Sequence, residues 1–169
     1  DSCDAISVSS LEDVKFDSNN INIIAEGQSN GFAFNGNMVN VGVSNNEIII
    51  HSNHNATLIN AYGVSNLTVG GNTLYAVANE VCGISAESSR NIIIEDNKLS
   101  IFAVDDGCSA VACRGCENSS IKGNLIHTNV SNPILADGYF NSNSFIVDDG
   151  NYNVFFDEKV RLYDLSLKT

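Results

Sequence analysis

The sequence predicts an all-β fold in which short strands coil into a solenoid, and three observations lead to this prediction. A motif recurs along the chain at intervals of about 25 residues. The chain holds 25 Asn, 17 Ile and 15 Val, and Asn favours turns whereas Ile and Val favour strands. No copy of the motif contains an amphipathic stretch long enough for a helix. Repeats of this length that hold only short strands are typical of β-solenoids.

The repeat is clearest in three segments with the form Asn-x-x-Val/Ile-x-x-Asn-x-Leu/Ile. These segments are Asn66–Leu74, Asn91–Leu99 and Asn118–Ile126. Successive copies are offset by 25 and 27 residues, and a weaker copy follows at Asn143–Gly150. In each copy a short apolar run is flanked by turn residues, which indicates a strand bounded by bends.

A second strip of strand residues recurs in step with the first. Ile84–Glu87 matches Ala110–Cys113 and Ile134–Asp137. Each strip lies 10 to 12 residues before the apolar centre of the next copy, so one repeat holds at least two short strands. After each repeat the chain is expected to lie one strand spacing, roughly 4.8 Å, above its starting point.

Stacking of the copies is expected to bring equivalent side chains into columns. Three inward positions form an aliphatic column: Val69, Ile94 and Ile121. Three corner positions form an amide ladder: Asn72, Asn97 and Asn124. Asn suits such corners because it tolerates a left-handed backbone, and we take this as the reason for the repeated Asn.

The pattern Asn-Ile-x-Ile-x-x-Asn-x-Leu resembles the coils of the pectate-lyase-like superfamily, and the resemblance covers roughly residues 20–155. It implies a single-stranded right-handed parallel β-helix (solenoid) of about six to seven rungs with irregular N- and C-terminal caps. We expect an N-terminal cap or arm at 1–20, the β-helix at 21–156 and a C-terminal cap or assembly arm at 157–169. The superfamily includes polysaccharide lyases and hydrolases, phage tailspikes, adhesins and surface proteins, so the resemblance alone assigns no function.

The charge and hydropathy of the chain argue against some classes of binding partner. The chain has 20 Asp and Glu against 8 Lys and Arg, a formal charge of −12, which argues against nucleic acid as a partner. No apolar run approaches the roughly 18 residues of a membrane span, so none is predicted. The chain begins at Asp1 without a leader, and we expect a processed chain that is secreted and extracellular, at the cell surface.

Five cysteines are candidates for disulfides: Cys3, Cys82, Cys108, Cys113 and Cys116. Cys82 and Cys108 are 26 residues apart, one rung, so a spacing of about 4.8 Å would place them inside the disulfide window of about 4.4–6.8 Å. Cys113 and Cys116 lie on one turn and can pair with each other or reach outward. Cys3 is the candidate for a bond between subunits, and a mixture of buried thiols is the alternative. The lone Cys-x-x-Cys predicts no metal site.

Two adjacent carboxylates, Asp105 and Asp106, are the strongest candidates for catalytic residues. Val104–Ala112 resembles the Gly-Asp-Asp-Cys-Ile-Ala-Ile stretch of polygalacturonases, and the resemblance implies that Asp105 and Asp106 act as acid and base in an inverting hydrolysis. That family's flanking motifs have no counterpart here, and solvated turn carboxylates are the alternative. No cofactor is predicted beyond loosely bound Ca²⁺ on an acidic strip that includes Glu87 and Asp137.

The sequence therefore predicts an extracellular structural protein and no enzyme. The predicted protein is an acidic, disulfide-stabilised β-solenoid that self-assembles into a cell-envelope layer, sheath or filament, with glycans as a further class of partner. Its composition is similar to that of sheath and surface proteins of methanogenic archaea. A polysaccharide-active enzyme and an adhesin or spike segment are the alternatives. Four Asn-x-Ser/Thr sites are candidates for N-glycosylation: Asn55, Asn66, Asn118 and Asn129.

Overall fold

The computed structural model describes residues 2–104, 109–130, 132–137, 146–149 and 152–155. Among these residues it contains 16 β-strands and no helix. Each strand pairs in parallel with its counterpart on the next turn of the coil. The prediction of an all-β parallel solenoid is therefore confirmed.

Each turn of the coil contributes one strand segment to each of three faces. The first face holds β1 (Cys3–Ser9), the first parts of β4 (Ser29–Ser44) and β6 (Asn55–Gly70), β8 (Glu80–Glu87), β11 (Ser109–Arg114) and β14 (Ile134–Asp137). The second face holds β2 (Glu12–Asp17), the second parts of β4 and β6, β9 (Arg90–Glu95), β12 (Ser119–Lys122) and β15 (Ile146–Asp149). The third face holds β3 (Asn20–Ala25), β5 (Glu47–Ser52), β7 (Thr73–Ala78), β10 (Lys98–Ala103), β13 (Leu125–Thr128) and β16 (Tyr152–Phe155).

The stack makes about 5 turns, and the short strands β14, β15 and β16 begin a further one, so the count is slightly below the six to seven predicted. β1 and β2 fall within residues 1–20, where a cap was expected, yet both pair with β4 in regular register. They therefore form the first turn of the coil together with β3. The predicted C-terminal arm at 157–169 lies outside the described residues.

Aliphatic side chains from the three faces meet inside the coil. Val69, Ile94 and Ile121 lie on adjacent turns of the second face, and all three are fully buried, so the predicted column is confirmed. Full burial of one such side chain contributes about 1.5–3 kcal/mol. The repeated burial on every turn makes this column a main source of stability for the coil.

Left-handed residues bend the chain between the second and third faces. One such residue occurs on each of five turns, with φ between 55° and 67°: Ser18, Asn45, Gly71, Asp96 and Gly123. Each of them directly precedes an Asn that does not have positive φ, and three of these Asn are the predicted ladder residues Asn72, Asn97 and Asn124. The expectation that the ladder Asn supply the left-handed backbone is therefore wrong, because the bend is completed one residue earlier.

The register of the first face differs by one residue from the sequence alignment. Val111, and not Ala110, pairs with Ile84, so the match of Ala110–Cys113 to Ile84–Glu87 is out of step. The same shift places Ser109 opposite Cys82, where Cys108 was expected. The described residues contain no helix that is long and apolar enough to cross a membrane.

Candidate functional site

The first turn of the coil leaves one edge of each of its three strands without a strand partner among the described residues. β1 and β2 pair with β4, and β3 pairs with β5. On their other edges the backbone N–H and C=O groups have no described strand to pair with. Unpaired strand edges of this kind are templates for pairing with another chain.

Apolar side chains of the core are uncovered at this edge. Leu11 is 41% exposed, whereas Met38, which follows it one turn later in the same column, is 0% exposed. Ile6 is only partly buried, whereas its register partner Phe32 is fully buried. We call this uncovered edge of β1, β2 and β3 the open end. Its apolar exposure indicates a surface that gains stability when it is covered.

The last turn presents a matching edge. β14, β15 and β16 each stand at the end of their sheet in the described part of the chain. They belong to the same three faces as β1, β2 and β3, and every pairing along each face is parallel. The last turn of one molecule therefore matches the open end of another in the order of its three faces and in strand direction.

The structure stacks Asn72, Asn97 and Asn124 as an inner amide ladder. The backbone N–H and the Nδ2 of Asn72 both donate to Asn97 Oδ1, at 3.0 and 2.9 Å. Asn97 donates in the same way to Asn124 Oδ1, at 3.0 and 2.9 Å. Asn19 and Asn46 extend the ladder through the first two turns. Sequence reasoning missed these two, although each lies two residues before an inward Ile, as Asn72 lies two before Leu74.

A second, exposed amide ladder runs along the bend between the first and second faces. Asn91 Nδ2 donates to Asn66 Oδ1 at 2.7 Å, and Asn66 Nδ2 donates to Asn40 Oδ1 at 2.8 Å. Asn40 Nδ2 donates to Asp13 Oδ1 at 2.8 Å. All four residues have left-handed φ, between 55° and 59°. This ladder, and not the inner one, uses the tolerance of Asn for a left-handed backbone.

A groove of about 640 Å³ lies on the outer side of the second face. Gly42, Gly70, Lys15, Thr68 and Glu95 are among the residues that line it. Neither glycine has a left-handed backbone, and a Cβ atom at either position would meet its nearest neighbour at 3.5 Å, an ordinary contact. Packing therefore does not require these glycines, and glycine inside a strand can mark the close approach of a ligand.

Asp17 lies beside this groove with its carboxylate held by three donors. These are Asn45 Nδ2 at 2.9 Å, Ser44 Oγ at 2.8 Å and Ser18 Oγ at 3.0 Å. The hydrogen bonds, with that from Asn45 the strongest, lower the pKa of Asp17 from its usual 3.8. Asp17 therefore stays ionised at neutral pH and serves as an acceptor that ties neighbouring turns together, not as a proton donor.

The cysteines occupy different environments. Cys3 is exposed on β1, Cys82 is partly buried on β8, and Cys113 and Cys116 are buried. No disulfide joins these four, which are the cysteines within the described residues. Cys108 lies outside the described residues, and the register places Ser109 opposite Cys82.

Two of the acidic candidates share one column of the first face. Glu87 and Asp137 lie in register with Arg114, one turn before it and one turn after it. The described part of the chain has no group of three or more His, Cys, Asp and Glu that could hold a metal ion. Asp105 and Asp106 lie outside the described residues, and their role in hydrolysis stays a prediction.

The four glycosylation candidates differ in accessibility. Asn55, Asn66 and Asn118 are exposed. Asn129 is only partly exposed, and both ends of its amide are occupied. Its Oδ1 accepts from Ala103 N at 2.9 Å, and its Nδ2 donates to Ala103 O at 2.7 Å. The side chain of Asn129 therefore closes the end of a strand, and Asn129 is the least exposed of the four. The amide of Asn66 is occupied at both ends as well, by Asn40 and Asn91.

No protein-family model, curated protein or solved structure matches the chain. Its function must therefore be inferred from its own geometry. The features that this geometry offers are the open end, the matching edge at the last turn and the groove on the second face.

Proposed function

We propose that this chain is an extracellular structural protein whose solenoids join end to end into a filament, sheath or envelope layer. The observation that carries the proposal is the open end, where apolar core side chains and three strand edges are uncovered. The occupant that fits it is the last turn of a second copy, because β14, β15 and β16 continue the same three faces in the same direction.

Joining of this kind would extend the coil from one molecule to the next. The contact is heterologous, because the open end of one copy meets the last turn of another, and such contacts grow into fibres when they do not close into a ring. Exposed Cys3 on β1 lies at the joining surface. Because β14 carries no cysteine, the end-to-end contact does not itself supply a partner for a bond between subunits through Cys3. The repeat and the inner ladder support a right-handed coil of the pectate-lyase-like superfamily.

Assembly is tested by sedimentation velocity and electron microscopy of the full chain over a range of concentrations. We expect the average mass to rise with concentration and elongated particles to appear. Leu11→Asp places a charge at the open end in a side chain that is already 41% exposed, so the fold should tolerate it. Burial of that charge in the contact should cost about 2 kcal/mol, roughly a 30-fold weaker association.

Ser7→Asp is the matched control, because Ser7 is an exposed residue of β1 in the same first turn of the coil and the substitution adds the same charge. It should assemble like the unmodified chain. Circular dichroism and urea unfolding establish that both variants are folded. A chain that stays monomeric at all concentrations, with or without reductant, would contradict the proposal.

Glycan binding by an adhesin-like segment is a second candidate function, and the groove on the second face favours it. The groove volume of about 640 Å³ lies within the range of small-ligand sites, about 300–1,000 Å³. Thr68 and Glu95 on its walls offer hydrogen-bonding groups. A glycan-array screen tests this function, with Gly70→Trp as the variant that fills the groove.

A further inference from the structure

The bend after β11 brings two buried thiols together. Cys113 is the last inward residue of β11 before the bend, and Cys116 follows the left-handed Gly115. Both side chains are fully buried. Cys116 Sγ lies 3.4 Å from the carbonyl oxygen of Ala86, the residue directly opposite Cys113 on the neighbouring turn. The two sulfurs therefore lie on the same side of the bend, and they hydrogen-bond to each other.

Neither position requires cysteine for packing. Cys113 continues a column of the first face that holds Ala61, Ala86 and Ala136 on other turns. Cys116 continues a column in which the preceding turn has Ser89. A small apolar residue at 113 and a hydroxyl at 116 would therefore continue their columns, so the presence of two thiols calls for a separate explanation.

Cys116 repeats the hydrogen bonding of Ser89 one turn later. Ser89 Oγ accepts from Val64 N at 3.0 Å and donates to Glu87 O at 2.8 Å. Cys116 Sγ accepts from the backbone of Ser89 and donates to Arg114 O at 3.6 Å. Because Ser89 and Cys116 are equivalent, Cys116→Ser is a conservative variant. The serine hydroxyl keeps the hydrogen bonds of this position, and the sulfur is removed.

We propose that Cys113 and Cys116 form an intrachain disulfide across this bend when the chain folds in an oxidising medium. A pairing of Cys82 with Cys108 is not part of this proposal, because the register sets Ser109 opposite Cys82. The pairing does not depend on end-to-end assembly. It adds a covalent clamp at the bend of the fifth turn, next to the face that continues into β14.

The chemistry requires an external oxidant, and a small-molecule disulfide such as oxidised glutathione is sufficient. The Cys116 thiolate attacks one sulfur of that disulfide, which forms a mixed disulfide and releases one small thiolate. Cys113 loses its proton to the released thiolate, attacks the Cys116 sulfur and expels the second small thiolate. The cysteines lose two electrons and two protons in total, and the small disulfide is reduced to two thiols.

The order of attack follows from the environment of each sulfur. The hydrogen bond from Cys113, with a backbone hydrogen bond from Ser89, lowers the pKa of Cys116 in spite of its burial. The same bond to Cys116, together with burial, raises the pKa of Cys113. Cys116 is therefore the first nucleophile and Cys113 the resolving thiol. Because both are fully buried, exchange needs the bend to open, and it should be complete before the last turns close.

Peptide mapping tests the pairing. The full chain is refolded with oxidised and reduced glutathione, unfolded in N-ethylmaleimide and digested with trypsin. Cleavage after Arg114 separates Cys113 from Cys116, so a disulfide is expected to hold two peptides together until reductant is added. Cys108 lies on the same peptide as Cys113, so fragmentation of the linked pair in the mass spectrometer identifies which of the two is bonded and which is alkylated. In the native chain, reduction by dithiothreitol should be about tenfold slower than in denaturant, since the bend must open first.

Two variants keep this test decisive. Cys113→Ala and Cys116→Ser each introduce the residue that the neighbouring turn carries, so both should fold, and in each the remaining thiol should be alkylated. Alkylation of both Cys113 and Cys116 in the unmodified chain, or linkage of either to Cys3, Cys82 or Cys108, would overturn the proposal. Sedimentation velocity on the same variants measures assembly independently of the disulfide. A chain that fails to form the disulfide can therefore be distinguished from one that fails to assemble.

Discussion

At the scale of the residue, the side chain of Asn97 shows why an amide recurs once per turn. It is 1% exposed, its Oδ1 accepts two bonds from Asn72, and its Nδ2 donates to Asn124, Val69 and Glu95. An amide offers both acceptor and donors at one buried point, which a hydroxyl or a carboxylate at this position would not match. The Asn97 amide therefore pairs with backbone carbonyls of its own bend and of the neighbouring turn.

Replacement of Asn97 by Ala should lower the free energy of unfolding by about 3 kcal/mol, because it leaves buried donors and acceptors of two neighbouring turns unpaired. Urea unfolding followed by circular dichroism measures the change. Asn22→Ala is the control, since Asn22 is exposed on β3, and it should change stability by no more than about 0.5 kcal/mol. Equal effects of the two substitutions would show that the buried ladder amide contributes no more to stability than an exposed amide.

At the scale of the element, neighbouring strands of the first face fit together through alternation of small and large side chains. Gly31, Leu58, Gly83 and Ala110 follow one another in one buried column. A Cβ atom at Gly31 would lie 2.5 Å from Leu58 O and 2.8 Å from Ile48 Cγ2. The side chain of Leu58 thus fills the space that Gly31 and Gly83 leave on the two neighbouring turns, and the strands keep their spacing.

Gly83→Ala should destabilise the chain by about 2 kcal/mol, because the new Cβ would collide with Ala110 O and lie 2.9 Å from Leu99 Cδ2. Gly42→Ala is the matched control on a strand of the second face, where the nearest atom would be at 3.5 Å. It should leave stability unchanged or raise it slightly, since alanine restricts the unfolded chain. Thermal unfolding of both variants gives the comparison, and a Gly83 variant as stable as the control would refute the close fit of β8.

Some features of the strands could be predicted from the sequence, and others could not. The repeat predicted the coil, the aliphatic column and three of the five ladder positions (Asn72, Asn97 and Asn124), because each depends on local spacing. The register of the first face could not be read in the same way: Ala110 and Val111 are both apolar, and only contact with the turn below decides which of them opposes Ile84. The open end could not be located from the sequence, since exposure of Leu11 depends on what lies next to it in three dimensions.

At the scale of the whole molecule, stability should follow a gradient along the coil. In a solenoid each turn contacts only its neighbours, so inner turns are held from both sides and end turns from one. The strands of β6 and β8 have described partners on both edges, whereas β1, β2 and β3 have one described neighbour each. Local opening should therefore begin at the first turn and spread inward.

Amide hydrogen exchange measured by mass spectrometry tests this gradient and its link to assembly. In dilute solution, amides of β1–β3 should exchange at least about tenfold faster than those of β6–β8, because their opening exposes less surface. As the concentration rises, protection of β1–β3 should approach that of the inner turns, since a second copy then pairs with the open end. The Leu11→Asp variant should keep its first turn fast at every concentration. Uniform protection in dilute solution, or a first turn that stays fast in assembled material, would show that the open end does not join the molecules.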